Sequence, residues 1–248
     1  MNTFIQHWKL NLVALVLIVF LTSLGFWQLS RAQEKKVLLQ SYAERTAHKP
    51  YAATELQAPN DWRFFRVELT GKFDNAHTIL LDNKTMNGVV GYEVYTPFKA
   101  DDMNQAILID RGFIPLGANR NEVPTIKPAS EHNVTVSGML NLPPRYVSLG
   151  QMLATKVAAW PLRVEYINLP KLANLTEYPL YPYVLNIDPK NPAAFKVEWQ
   201  VNVMGPERHM GYAVQWFALA LTLLILSAIM NYRSTGKAST VTKRRMRR

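Results

Sequence analysis

Cysteine is absent from the 248 residues, and that absence excludes several chemistries. No disulfide framework, thiolate copper site, thiol-redox couple or covalent c-type haem attachment can reside in this chain. A packed core must hold it together instead. Catalytic signatures are missing as well: there is no GxSxG, no HExxH, no P-loop and no dinucleotide fingerprint after a strand. The expectation is a protein that is not an enzyme. Acidic residues are missing from both ends, since all 18 Asp and Glu lie between Glu34 and Glu207. The net charge of +10 is therefore not a nucleic-acid footprint spread over a domain, and no nucleic-acid partner is expected. Much of the surplus sits on Lys9 and on a tail of seven bases, Arg233, Lys237, Lys243, Arg244, Arg245, Arg247 and Arg248.

What the chain does have is two long runs without an ionisable side chain. The first, LNLVALVLIVFLTSLGFWQLS, lies between Lys9 and Arg31. At about 1.5 Å per residue it reaches roughly 31 Å, one hydrocarbon thickness. A cleaved signal peptide is the competing reading, but the run is long and ends in bulky Phe26, Trp27 and Gln28 rather than a small-x-small site. The second run, GYAVQWFALALTLLILSAIMNY, spans Gly211–Tyr232. A basic tail directly after a span marks the cytoplasmic side. Two spans return the N-terminus to that side and leave the middle outside. The tail can also touch anionic membrane lipid. The expected organisation is a cytoplasmic N-terminus (1–9), a transmembrane helix (10–30), an extracytoplasmic β-rich domain (31–208), a second transmembrane helix (209–232) and a cytoplasmic tail (233–248).

Arg31 to about His48 is rich in helix formers and continues the first span, with Pro50 as its stop. Strand candidates follow at Phe64–Thr70, Thr78–Asp82, Tyr92–Phe98, Ala106–Arg111, Asn133–Leu140, Leu162–Ile167, Tyr183–Ile187 and Lys196–Val203, each bounded by turn residues. A short helix is expected near Pro170–Leu175. The fold class is a membrane-anchored α+β protein, its domain a mostly antiparallel sheet or partly closed barrel. His48, His77 and His132 are read as solvated, and Asp110-Arg111-Gly112 as a structural Asp–Arg pair beside a turn that ends a strand.

The candidate site lies at the outer ends of the two helices. Trp27, Arg31 and Lys35 recur at i, i+4 and i+8 on one face; His209, Tyr212 and Trp216 recur at i, i+3 and i+7 on another, with Arg208 and Gln215 beside them. One reading is an aromatic belt with snorkelling cations. The other is a haem site, in which His209 supplies an axial nitrogen, the aromatics supply apolar walls and the cations meet the propionates.

Five ordered segments carry a resemblance. They are Leu24-Gly25-Phe26-Trp27-Gln28 with Arg31 and Lys35, Val67–Phe73 (VELTGKF), Gly91–Pro97 (GYEVYTP), Asp110–Pro115 (DRGFIP) and His209–Phe217 (HMGYAVQWF). Together they resemble the Surfeit-locus assembly factors of haem-copper cytochrome oxidases, with Phe113 standing where that family usually has Trp. The resemblance implies an inner-membrane protein that assists maturation of cytochrome c oxidase subunit I by handling haem a. It also implies His209 as the iron ligand and a haem a synthase as donor. No transit peptide precedes Lys9, so a bacterial inner membrane is expected. A haem-free scaffold that stabilises a subunit I intermediate through the outer domain stays open beside it, as does a tethered enzyme or sensor.

Overall fold

The computed structural model describes residues 8–57, 60–117, 123–144, 159–198 and 205–245, with side chains to Tyr232. The chain divides into a helical unit, Met1–Gln40 with Asn202–Arg248, and a compact unit, Ser41–Val201. In sequence, the two terminal helices flank the β-rich part.

Helix α1 runs unbroken from Trp8 to Thr46 over 39 residues. Helix α3 spans Pro206–Arg245 and opens on proline, whose fixed φ and missing N–H suit a first helical turn. Both are long and apolar enough to cross a membrane. The expected helix from Arg31 is thus the continuation of the first span, ending before the extended residue that precedes Pro50.

In the compact unit the strands are β1 (Tyr51–Ala52), β2 (Arg66–Phe73), β3 (Ile79–Met86), β4 (Val89–Ala100), β5 (Ala106–Pro115), β6 (Val134–Asn141), β7 (Leu162–Val164) and β8 (Leu180–Ile187). Helix α2 covers Leu169–Thr176, capped by Asn168, whose side chain accepts from the Lys171 N–H at 3.0 Å. In β2 every second residue is buried, namely Val67, Leu69, Gly71 and Phe73, as a half-buried strand requires. β5 reads Ala-Ile-Leu-Ile and is buried on both faces.

The sheet closes on itself. β2 pairs β6, β6 pairs β8, β8 pairs β5, β5 pairs β4, and β4 returns to β2 through Gly71–Ala100, Lys72–Lys99 and Phe73–Phe98. The result is a five-stranded barrel. β4 makes closure possible because its 12 residues outlast its partner β3: residues up to Tyr95 pair β3, and Phe98–Ala100 pair β2. Leu69, Phe98, Ile109, Val136 and Leu185, one from each barrel strand, belong to one core cluster. A second cluster packs Leu108, Tyr95 and Val184 against β3, β7 and Leu172 of α2. Most ladders are antiparallel; β1–β2, β3–β7 and β5–β8 are parallel.

One expectation falls largely outside the described residues and another is corrected. From Lys196 the chain forms only a single bridge, to Phe113, within the described residues, and 199–203 lie outside them. Asp110-Arg111-Gly112 does not end a strand, nor do its charges pair. The three residues occupy a bulge inside β5, where the register against β4 jumps between Glu93–Phe113 and Tyr95–Asp110. Gly112 sits at φ +103°, and a Cβ there would meet the Val197 side chain and the Lys196 carbonyl at about 2.6 Å. Neighbouring strand residues point to opposite faces, so Asp110 joins Tyr95 and Glu93 while Arg111 turns away.

Asp110 is 3% exposed and accepts the Gly112 N–H at 3.0 Å. Burial, and then the charge of Glu93, push its carboxyl well above the usual carboxylate range. A carboxyl raised by folding stabilises the fold while protonated. That contribution is complete below about pH 4 and is lost as pH rises through the folded-state value. Asp110→Asn, which keeps an acceptor for Gly112, should therefore leave thermal stability nearly unchanged at pH 4 and increase it at pH 8. Melting curves of both proteins across that range check the sign, and a difference that shrinks as pH rises contradicts it.

Candidate functional site

Within the helical unit, α1 and α3 run antiparallel along a seam with a heptad period. The half-buried or buried positions on α1 include the row Asn11, Ala14, Ile18, Leu21, Gly25, Gln28, Ala32, Lys35 and Leu39. On α3 they include Pro206, His209, Ala213, Trp216, Ala220, Leu223, Ser227 and Asn231, with Phe217 beside them. The steps of three and four residues are those of a coiled coil. Small residues recur along it, the composition that lets helices approach closely in lipid, where hydrophobicity gives no net drive. Gly25 is the tightest point. A Cβ there would stand 2.6 Å from the Phe217 ring, which also takes Phe26 edge-on at 5.3 Å.

Each end of the seam carries a polar pair. Asn11 and Asn231 exchange two amide hydrogen bonds, at 3.2 and 3.0 Å. Seventeen residues along α1 from Asn11, Gln28 Oε1 lies 2.8 Å from His209 Nδ1. An amide oxygen only accepts, so Nδ1 is the donor, and in the neutral imidazole that tautomer leaves the lone pair on Nε2. Among the described residues nothing hydrogen-bonds Nε2.

The structure sorts the sequence-predicted residues into two groups. His209, Trp216 and Lys35 are half-buried on the seam. Trp27 and Tyr212 are 51% and 45% exposed, and Arg31 and Arg208 are exposed. Arg31 stacks on Trp27 at 5.7 Å and pairs with Glu34 at 2.7 Å. Trp27, Arg31 and Lys35 therefore do not share one environment: a spacing of four lags the helix, and by Lys35 the row has reached the seam. Gln28 falls on the same 3.5-residue row as Gly25 and Ala32, a row that the four-residue spacing of Trp27, Arg31 and Lys35 does not pick out.

A second polar centre lies in the compact unit. Arg111 is 1% exposed and donates from Nε to the Ala193 carbonyl at 2.9 Å, from Nη2 to the Lys127 carbonyl at 2.8 Å and from Nη1 to Thr96 Oγ1 at 3.4 Å. Its guanidinium lies 4.6 Å from the Phe195 ring centre. Burial lowers its pKa to about 10, so it stays charged at neutral pH. His77, expected in solvent, instead shares a hydrogen bond of 2.8 Å with Asp74 Oδ2 and meets Trp160 edge-on at 4.7 Å. Asp74 also accepts from Tyr178 at 2.8 Å. Burial disfavours its charge, yet the hydrogen bonds from His77 and Tyr178 win and hold it below the usual carboxylate range. Among the described residues no cluster of three or more His, Asp or Glu could hold a metal ion.

A SURF1 family model matches residues 15–221, which takes in Gly25, Gln28, Asp110, Arg111, His209 and Phe217. The chain belongs to the SURF1 family. A SURF1-like protein of Rickettsia felis is 27% identical over 227 residues, covering 89% of this chain and 96% of that one. The cytochrome oxidase assembly protein SHY1 of Saccharomyces cerevisiae is 32% identical over 94 residues, 37% of this chain and 24% of its own length. Surfeit locus protein 1 of Xenopus tropicalis is 28% identical over 109 residues, 38% and 36% of the two chains. Against the bacterial SURF1 relative the likeness spans almost the whole of both proteins, helices included.

The native chain has no cysteine, so the seam can be tested without background. Asn11→Cys with Asn231→Cys should crosslink under mild oxidation, giving an intramolecular disulfide seen as a mobility shift on a non-reducing gel. Either single variant should give none. Crosslinking of Asn11→Cys with a cysteine on the outward face, at Leu226, equal to that with Asn231→Cys would refute the seam.

Proposed function

We propose that this protein is a cytochrome oxidase assembly factor that holds haem a on the α1–α3 pair and assists its insertion into subunit I. It would do so without catalysis of its own. Membership of the SURF1 family and the likeness to a yeast cytochrome oxidase assembly protein support the general role. One contact carries the finer reading: Gln28 Oε1 on His209 Nδ1 at 2.8 Å. A histidine that binds a metal usually donates its other ring N–H to an acceptor, which fixes tautomer and ring orientation and raises basicity. Gln28 supplies that acceptor, so Nε2 is the nitrogen offered to iron. The donor set suits haem: one imidazole for an axial position, exposed Tyr212 and Met210 on the same helix for the macrocycle, and the basic side chains of Arg31, Lys35 and Arg208 for the propionates. Haem here is cargo, and the redox and oxygen chemistry it supports belongs to the oxidase.

In this reading both termini are cytoplasmic, following the basic tail, and the barrel domain is periplasmic in a bacterial inner membrane. A haem a synthase is the candidate donor and subunit I the recipient, with the barrel domain recognising the client.

The test uses full-length protein purified from cells that make haem a. Wild type should carry a Soret band that His209→Ala abolishes. Gln28→Ala should keep haem but shift the band and weaken retention by roughly 10- to 100-fold, the usual cost of losing an outer-shell partner. Unchanged haem content and spectrum in His209→Ala would remove that residue as ligand. Haem-free protein that still co-purifies subunit I would replace the haem reading with a scaffold.

A further inference from the structure

The Arg111 guanidinium borders a cavity of about 320 Å³ in the compact unit, the lower end of the range for small-molecule sites. Among the described residues lining it Arg111 is the one ionisable group; Val123, Pro124, Ile126, Pro128 and Pro161 make the rest of that wall largely apolar. Two polar neighbours, Asn75 and Thr78, already have partners. The Asn75 amide exchanges two hydrogen bonds with the Ala129 backbone, at 3.0 and 2.9 Å. Thr78 Oγ1 donates to the Asn75 carbonyl and meets Thr96 Oγ1 at 3.3 Å, so Thr96 must donate to Thr78 and accept from Arg111.

The charge is what lacks an answer. Among the described residues Arg111 forms no ion pair: its acceptors are two carbonyls and a hydroxyl. A buried cation without a counter-charge is costly, and Asp110, the nearest acid in sequence, faces the other side of β5. Of the five guanidinium N–H groups three are used. One on each terminal nitrogen is left, the set that grips the two oxygens of a carboxylate.

We propose that this cavity is a binding site for a small monocarboxylate with an aliphatic stem, its carboxylate on Arg111 and its stem against Val123, Ile126 and the prolines. One cation and apolar walls favour a single negative charge over a phosphate dianion. The site belongs wholly to the barrel domain and is independent of haem binding by the helices.

Full-length protein in detergent is titrated with trifluorobutyrate and, separately, with its neutral amide, both followed by fluorine NMR. The acid should bind saturably, and the amide roughly tenfold or more weakly, as expected for loss of a charge-assisted bidentate contact. Arg111→Gln should abolish the preference for the acid. Because that variant loses three hydrogen bonds and can unfold, Val123→Trp is the second test. Val123 is 46% exposed, and an indole there fills the cavity while leaving Arg111 in place. It should lose acid binding with the melting temperature of the free protein unchanged. Equal binding of acid and amide, no saturable binding of either, inorganic phosphate binding as tightly as the acid, or acid binding that survives Val123→Trp each overturns the proposal.

Discussion

The contact between Gly25 and the Phe217 ring is the tightest glycine contact between the two helices. A side chain of any size at position 25 would collide with that ring, so the ring or the helices would have to shift. The contacts on either side, Gln28 with His209 and Asn11 with Asn231, have hydrogen-bond lengths that tolerate little separation. Gln28, which gives His209 its acceptor, lies one turn from Gly25 on the same seam. The packing at the glycine and the hydrogen bond at the imidazole are neighbours on one row.

The barrel depends on a comparable economy. β4 is long enough to serve β3 with one half and β2 with its end, and this closes five strands without an additional element. The bulge in β5 then breaks the ladder at one place, directing Asp110 and Arg111 into different surroundings. One becomes a carboxyl that resists ionisation, the other a cation without a carboxylate among the described residues. Both states come from the same two-residue step in the pleat.

Hydropathy made the two spans legible from the sequence, and alternation made most strands legible, because burial on one face writes itself into residue order. Barrel closure was not legible: the β2–β4 ladder joins segments whose local pattern is that of any half-buried strand. The seam was hidden inside uniformly apolar runs, where hydrophobic periodicity has no contrast. Along the seam the small residues Ala14, Gly25, Ala32, Ala213, Ala220 and Ser227 and the polar Asn11, Gln28 and Asn231 break that uniformity. Reading Trp27, Arg31 and Lys35 as one row used a period of four, which follows the exposed aromatic and cation but passes over Gln28. The Asp110–Arg111 pair was misread for a simpler reason, since sequence neighbours in a strand cannot share a face.

The two polar pairs also bear on how the helices come together. Asn11 and Asn231 are 220 residues apart in the chain, and Gln28 and His209 are 181 apart. With α1 placed in a bilayer as proposed, its amides wait without their partners until α3 has been synthesised. Sliding one helix by a turn would separate both pairs at once. The helix made later is therefore the one that completes the earlier, and the pair closes in a single register.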